Sequence, residues 1–151
     1  MTLLTPEHEA AIGRATAPVR AEVTRREIRK YAAATGQRLR KYLDGDEAPP
    51  LFLFGLFVDV LPREALRADG LPPDNGLVPE LPLARIMAGG TEASFHRPAY
   101  PGDVLLSRQT LKDLYEKQGS QGPLIFAVVE NRVETETGEG VMTESITRIA
   151  R

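Results

Sequence analysis

From Thr91 to Ala150 the chain reads as a succession of strand-like runs, and this feature most narrows what it can fold into. The runs are Thr91 to Arg97, Val104 to Tyr115, Leu124 to Thr135 and Val141 to Ala150. Turn-forming clusters separate them: Pro98 with Pro101-Gly102-Asp103, then Gly119-Ser120-Gln121-Gly122, then Thr137-Gly138-Glu139-Gly140. Consecutive runs joined by short turns predict an antiparallel meander. Most of these runs exceed the usual length of about five or six residues, and long strands twist and coil. A coiled sheet has a hollow face, which an apolar element must cover.

That element is expected between Leu51 and Leu61. Leu51, Phe52, Leu53, Phe54, Leu56, Phe57, Val58, Val60 and Leu61 leave hardly any polar side. A helix apolar all round is a core helix. A buried strand has the same signature over so short a run, but Pro49-Pro50 before it and Pro62 after it favour a short helix. The run is about half the roughly 20 residues a membrane span needs, so it is expected inside protein. Phe52, Phe54 and Phe57 are read mainly as core, with an acyl-channel lining as the alternative.

The first part of the chain is helical in pattern. Thr5-Pro6-Glu7 predicts a capped helix to about Gly13, and Pro18 to Val23 a short strand. Thr24-Arg25-Arg26-Glu27 is a capping box. The helix after it is expected to bury Ile28, Tyr31, Ala32 and Thr35, with Gly36 as its left-handed stop. Residues 63–82 are rich in Pro, Gly, Asp and Asn and read as flexible surface or as a functional lid.

Length and apolar content fit one domain over residues 1–151 with one core, an α+β fold of helices followed by a long sheet. The net charge of -2 argues against a nucleic-acid partner. With no cysteine there is no disulfide or thiolate chemistry, and two histidines offer no convincing metal-ligand set, so no metal is expected. The absence of cysteine and of a signal-peptide pattern in Met1 to Arg14 gives the expectation of a cytoplasmic protein with no membrane contact.

Three segments are candidates for function: Tyr31-Ala32-Ala33-Ala34-Thr35-Gly36 with its continuation to Tyr42, Ala48-Pro49-Pro50-Leu51-Phe52, and Phe95-His96-Arg97-Pro98-Ala99-Tyr100-Pro101-Gly102-Asp103. Their order and spacing resemble the MaoC-like dehydratase/hydratase family, in particular its N-terminal, FAS1-like half, from about Val19 onward. The resemblance implies a hot-dog fold, with the apolar helix wrapped by the sheet. Active members are R-specific enoyl-thioester hydratases. They follow the Thr-Gly with Asp and then Asn-Pro-x-His, and the Asp and His activate a water. In register, the Asp and His positions here are Gln37 and Tyr42, and the Asn and Pro positions are Leu39 and Arg40. Gln cannot take a proton, and an ordinary Tyr is a poor base near neutral pH.

No residue is therefore assigned a catalytic role. Gln37 and Tyr42 mark the degenerate pair, and His96 is the fallback. Ala93 and Phe95 share one strand face, while Glu92, Ser94 and His96 share the other, so His96 faces either a pocket or solvent. Tyr42, Phe54, His96 and Arg97 are the candidate substrate-binding residues, each with a structural alternative. The basic cluster Arg25, Arg26, Arg29, Lys30, Arg38, Arg40 and Lys41 is read as a solvated helix face, or else as an attractor for coenzyme A phosphates or an acidic carrier. His8 is given no role.

The resemblance implies an accessory subunit of an R-specific enoyl-thioester hydratase/3-hydroxyacyl-thioester dehydratase, similar to the non-catalytic subunit of heterodimeric members. Such a subunit pairs with a catalytic hot dog and shapes its acyl channel. No cofactor is expected, and the substrate would be an acyl-CoA or acyl-carrier-protein thioester. Two alternatives stay open. One is a homodimeric acyl-thioester-binding module. The other is a self-sufficient hydratase or thioesterase using another carboxylate such as Glu92 or Asp103, although Asp103 in its turn fits a structural role.

Overall fold

A computed structural model describes residues 2–151. The chain forms helix α1 (Pro6–Ala11), strand β1 (Val19–Glu22), helices α2 (Arg25–Ala34), α3 (Arg40–Leu43) and α4 (Phe52–Leu56), and strands β2 (Ile86–Phe95), β3 (Val104–Gly119), β4 (Gly122–Thr135) and β5 (Gly140–Ala150). The strands make one antiparallel sheet in the order β1-β3-β4-β5-β2. This is the α+β layout of a single hot-dog fold.

The expected meander holds for β3, β4 and β5 only. β2 pairs with β5, with Phe95 opposite Met142 and Ile86 opposite Ala150, and not with the strand that follows it. Residues 96–103 therefore form a crossing under the end of the sheet and not a hairpin. Backbone bonds fix the crossing: His96 N–H to Val141 O at 2.8 Å, Gly102 N–H to Val23 O at 2.8 Å, and Val23 N–H to Asp103 O at 2.8 Å. β2 also starts before Thr91, at Ile86, with an irregularity in its pairing between Ala88 and Gly90.

Alternation sorts the side chains. Along β4, Ile125, Ala127, Val129, Asn131 and Val133 are buried on the concave face, as period two requires. An extra residue at Lys112 shifts the β3 register between Leu111 and Asp113, which keeps both Leu111 and Leu114 buried.

The concave face carries two apolar clusters. Val23, Ile28, Phe52, Leu53, Leu105 and Met142 belong to the first, under α2 and α4. Leu77, Leu111, Leu114, Ile125 and Val129 belong to the second. Its cover is α1, through Ala11, and the irregular segment from Leu77 to Leu83. Residues 63–82 are thus not simply flexible surface, because Leu77 is buried in the core and Val78 and Leu81 pack against it. The physical reason is α4. It has only five residues, too few to cover strands of 14 and 16 residues, so irregular chain does the remaining work.

The apolar helix departs from expectation in a second way. Phe52 and Leu53 are buried and Phe57 is half-buried, but Leu51, Phe54, Val58 and Val60 are exposed, Val60 completely. The side of the run that should have been core has no cover within this chain.

The local signals at α2 behave mostly as the residue types dictate. The Thr24 hydroxyl oxygen accepts from the Glu27 amide at 3.2 Å and donates to the Glu27 carboxylate at 2.7 Å. Ile28 and Ala32 are buried and Tyr31 is half-buried, packing edge-on against Phe52 at 5.7 Å. Thr35 is exposed, contrary to expectation, because its hydroxyl turns back to donate to the Tyr31 carbonyl at 2.8 Å. Gly36 ends the helix at φ 69°. His8 has a structural place: its Nδ1 accepts from the Thr5 amide at 2.9 Å and its Nε2 bonds the Glu80 carbonyl at 2.9 Å, tying α1 to the covering segment.

Candidate functional site

A cavity of about 280 Å³ opens where the N-terminal end of α4 meets the end of β2. Its wall includes Glu47, Pro50, Leu53, Phe95, His96 and Arg97. The Ala48 amide donates to the Ala99 carbonyl at 2.9 Å, which joins the Pro49-Pro50 entry of α4 to the crossing segment and closes one side.

Each ionisable side chain of the wall is already partnered. Arg97 donates through Nη1 to the Asp103 carboxylate at 2.8 Å and to the Pro98 carbonyl at 2.7 Å. Its buried Nε lies 3.3 Å from a Glu139 oxygen without an aligned hydrogen bond. The Asp103 hydrogen bond holds the Arg97 guanidinium above its ordinary value. Burial pushes the Asp103 carboxyl up, but hydrogen bonds from Arg97 and the Tyr100 amide outweigh it and hold that carboxyl below its ordinary value. His96 is bonded through Nε2 to the Thr143 hydroxyl at 2.9 Å and remains exposed. Glu47 takes a hydrogen bond from the Lys41 ammonium at 2.8 Å, which raises the lysine above its ordinary value.

The other expected site residues stand beside this cavity and not in its wall. Gln37 follows Gly36 and is half-buried, with its side-chain nitrogen 3.5 Å from the Thr35 hydroxyl. Tyr42 lies on α3, half-buried, with the Lys41 ammonium 5.0 Å from its ring centre. Tyr42 thus adjoins the cavity through its neighbour Lys41 and the bond to Glu47. Phe54 packs edge-on against Phe95 at 6.3 Å. Asp103 is the anchor of the crossing turn, and Glu92 lies exposed on the edge strand. Among the described residues, no three His, Asp or Glu side chains converge to hold a metal ion. Likewise, no helix is long and apolar enough to cross a membrane.

One polar group was missed by reading the sequence. The Ser107 hydroxyl donates to the Asn131 side-chain oxygen at 2.8 Å, and the Asn131 amide donates to Glu144 at 3.3 Å. All three are buried on the concave face, between the two apolar clusters. Burial pushes the Glu144 carboxyl up, against the opposing effect of Asn131. The signal was present in the alternation: Asn131 shares a face with Val129 and Val133, and Glu144 shares one with Met142 and Ile146.

Chemically, the cavity can receive a mostly apolar group and hydrogen-bond it at its rim. It does not present an unpartnered acid and base facing each other. Residues 10–144 match the profile of the FAS1-like dehydratase domain region. Mesaconyl-C(4)-CoA hydratase of Chloroflexus aurantiacus is 32% identical over 81 residues, which are 54% of this chain and 29% of that protein. The match thus spans under a third of that relative's length. A UPF0336 protein of Streptomyces griseus is 28% identical over 154 residues, 95% of this chain and 94% of its own. The ChsH1-ChsH2 complex from Mycobacterium tuberculosis superposes with a TM-score of 0.74 at 19% identity, over 95% of this chain and 86% of the matched one. With residues 10–144 inside that profile, most of the chain is covered, and it belongs to the FAS1-like dehydratase domain region family.

Proposed function

We propose that this chain is the non-catalytic half of an R-specific enoyl-thioester hydratase/3-hydroxyacyl-thioester dehydratase, completing the acyl channel of a catalytic hot-dog partner. One observation carries the reading. The helix α2, its Gly36 stop at φ 69° and α3 stand intact, yet the positions that hold the family's acid–base pair are Gln37 and Tyr42. Hydration of an enoyl thioester adds a water oxygen to C3 and a proton to C2, so a base and an acid must exchange protons near neutral pH. A glutamine and an exposed, Thr143-bonded His96 do not make such a pair. The partner would supply it, and this chain would supply wall.

The uncovered apolar surface supports the same reading. Leu51, Phe54, Val58 and Val60 in and flanking α4, and Ile86, Met87 and Phe95 on the free edge strand β2, are exposed, Phe54 packs against Phe95, and a second hot dog pairing with β2 would cover apolar side chains along that border. The substrate would be an acyl thioester of coenzyme A or a carrier protein.

The test is enoyl-CoA hydration by the purified chain, alone and co-purified with a hot-dog subunit that carries the Asp-x-x-x-x-His pair. The chain alone should show no turnover. The complex should turn over, and Gln37→Ala or Tyr42→Phe should change its kcat by less than about threefold, since neither group moves a proton. Robust turnover by the chain alone, abolished by His96→Ala and untouched at Gln37 and Tyr42, would overturn the proposal. A stable homodimer that binds the thioester, ignores the catalytic subunit and hydrates nothing would make the chain a binding module instead.

A further inference from the structure

The basic residues on and after α2 are not equivalent. Carboxylates neutralise three of them: Arg25 pairs with Asp46, Arg40 with Asp44 at 2.9 Å, and Lys41 with Glu47 at 2.8 Å. Arg26, Arg29 and Lys30 have no ion-pair partner among the described residues. These three, with Ala33 and Leu43, line a single open hollow of about 340 Å³.

The arrangement is unfavourable for the helix by itself. Arg26, Arg29, Lys30 and Ala33 lie at i, i+3, i+4 and i+7, so the three cations share one face and repel. Arg26 also sits in the first turn, against the positive end of the helix dipole. An anion in the hollow would relieve both effects. The stem of Arg29 packs close to the end of α3. A Cβ at Gly45 would come within 2.9 Å of the Arg29 Cγ, so the arginine stem lies against bare backbone where α3 ends. Gly45, buried and at φ 76°, is what permits that approach. Leu43 and Ala33 add apolar surface beside the three charges.

Several negative charges carried on a partly apolar body match this surface, and among the acyl carriers considered above the adenosine end of coenzyme A has that chemistry. We infer that the hollow between α2 and α3 binds the phosphates of the adenosine 3′,5′-bisphosphate end of coenzyme A, with the nucleoside lying toward Leu43 and Ala33. The inference rests on the acyl-thioester reading above, and it commits to the nucleotide carrier over an acidic protein carrier.

The test is calorimetric titration of the whole chain with adenosine 3′,5′-bisphosphate. Saturable one-to-one binding is expected, weakening as salt is raised. Arg29→Gln and Lys30→Gln should each weaken it about tenfold, as loss of a charge-assisted phosphate contact does. The triple variant with Arg26→Gln should abolish it while melting no lower than the parent, because like charges have been removed from one helix face. Arg38→Gln, an unpaired cation outside the hollow, should bind normally, and adenosine alone should not bind. Absence of saturable binding to the folded parent chain overturns the inference. So does an equal loss in Arg38→Gln, or tight binding of an acidic acyl carrier protein through these three residues with none for the nucleotide. The two proposals fail separately. A complex that hydrates enoyl-CoA although the chain binds no bisphosphate removes only the inference, and a chain that binds bisphosphate but joins no active complex removes only the functional reading.

Discussion

Arg97 and Asp103 hold each other at 2.8 Å across the turn that carries the chain from one side of the sheet to the other. The same carboxylate oxygen accepts from the Tyr100 amide at 2.8 Å, and Asp103 shares backbone bonds with Tyr100 and Val23. One aspartate therefore anchors the wall of the cavity, the crossing and the end of β1. Both side chains of the ion pair are about one-fifth exposed, at 19% and 22%, so water screens the pair only in part.

Asp103→Asn should lower unfolding stability at neutral pH by about 2 kcal/mol, the scale of a hydrogen bond to a charged group. The carboxyl is held below its ordinary value in the folded state. Its contribution is then fully present above the unfolded-state pKa and is lost as pH falls through the folded value. Denaturant melts of parent and variant should differ at pH 7 and converge in acid. A constant gap down to pH 2 would mean that the turn, and not the charge, is what the substitution disturbed.

Leu77 tests whether the segment before β2 is part of the core. It is 6% exposed and sits with Leu111, Leu114 and Ile125. Leu77→Ala should cost about 3 kcal/mol, as truncation of a packed leucine does. A truly loose segment would show a change near zero in the same melt.

Glu144 should behave in the opposite sense to Asp103. Its folded carboxyl is pushed up by burial, so the folded state holds its proton more tightly than the unfolded chain does. The associated stability is complete below the unfolded value of about 4.3 and falls as pH rises through the folded value. Glu144→Gln keeps a hydrogen-bonding partner for Asn131 and carries no charge. It should melt higher than the parent at pH 8 and level with it near pH 4.

The free edge of β2 can be examined without harming the fold. Ile86 is 57% exposed and Val60 is 100% exposed, so Ile86→Lys and Val60→Asp should leave the isolated chain within about 0.5 kcal/mol of the parent. In an assembly that buries this border, the same changes should weaken association at least about tenfold, measured by sedimentation. Unchanged association would place the interface elsewhere.

Much of this molecule can be read from its residues, and the parts that cannot share a cause. Local signals report local structure: Thr24 caps, Gly36 stops, and the alternation in β3, β4 and β5 marks the concave face. Pairing is not local. Alternation says which way Phe95 points but not that its neighbour is Met142 on the last strand. The run expected from Thr91 begins at Ile86 instead, with Ala88, Gly89 and Gly90 inside β2. From Leu51 to Leu61 apolarity alone does not mark core, because it records what a residue buries in its final setting, and Leu51, Phe54, Val58 and Val60 find no cover in their own chain. At the site, the closeness of His96 and Arg97 followed from adjacency. Glu47 was invisible, because only the backbone bond between Ala48 and Ala99 brings it to the same cavity.

The strand order also dictates a sequence of events in time. A ribosome releases β2 before any of the residues that pair with it, since its whole ladder runs from Met142 to Ala150 on β5. The β3–β4 hairpin, closed by the turn at Ser120 and Gln121, can zip as soon as it emerges, whereas β2 must wait for the final strand. Through that interval both of its edges stand open, one of them the edge proposed to receive a partner. Folding kinetics should then show hairpin formation preceding the arrival of β2, so the strand made last admits one made much earlier.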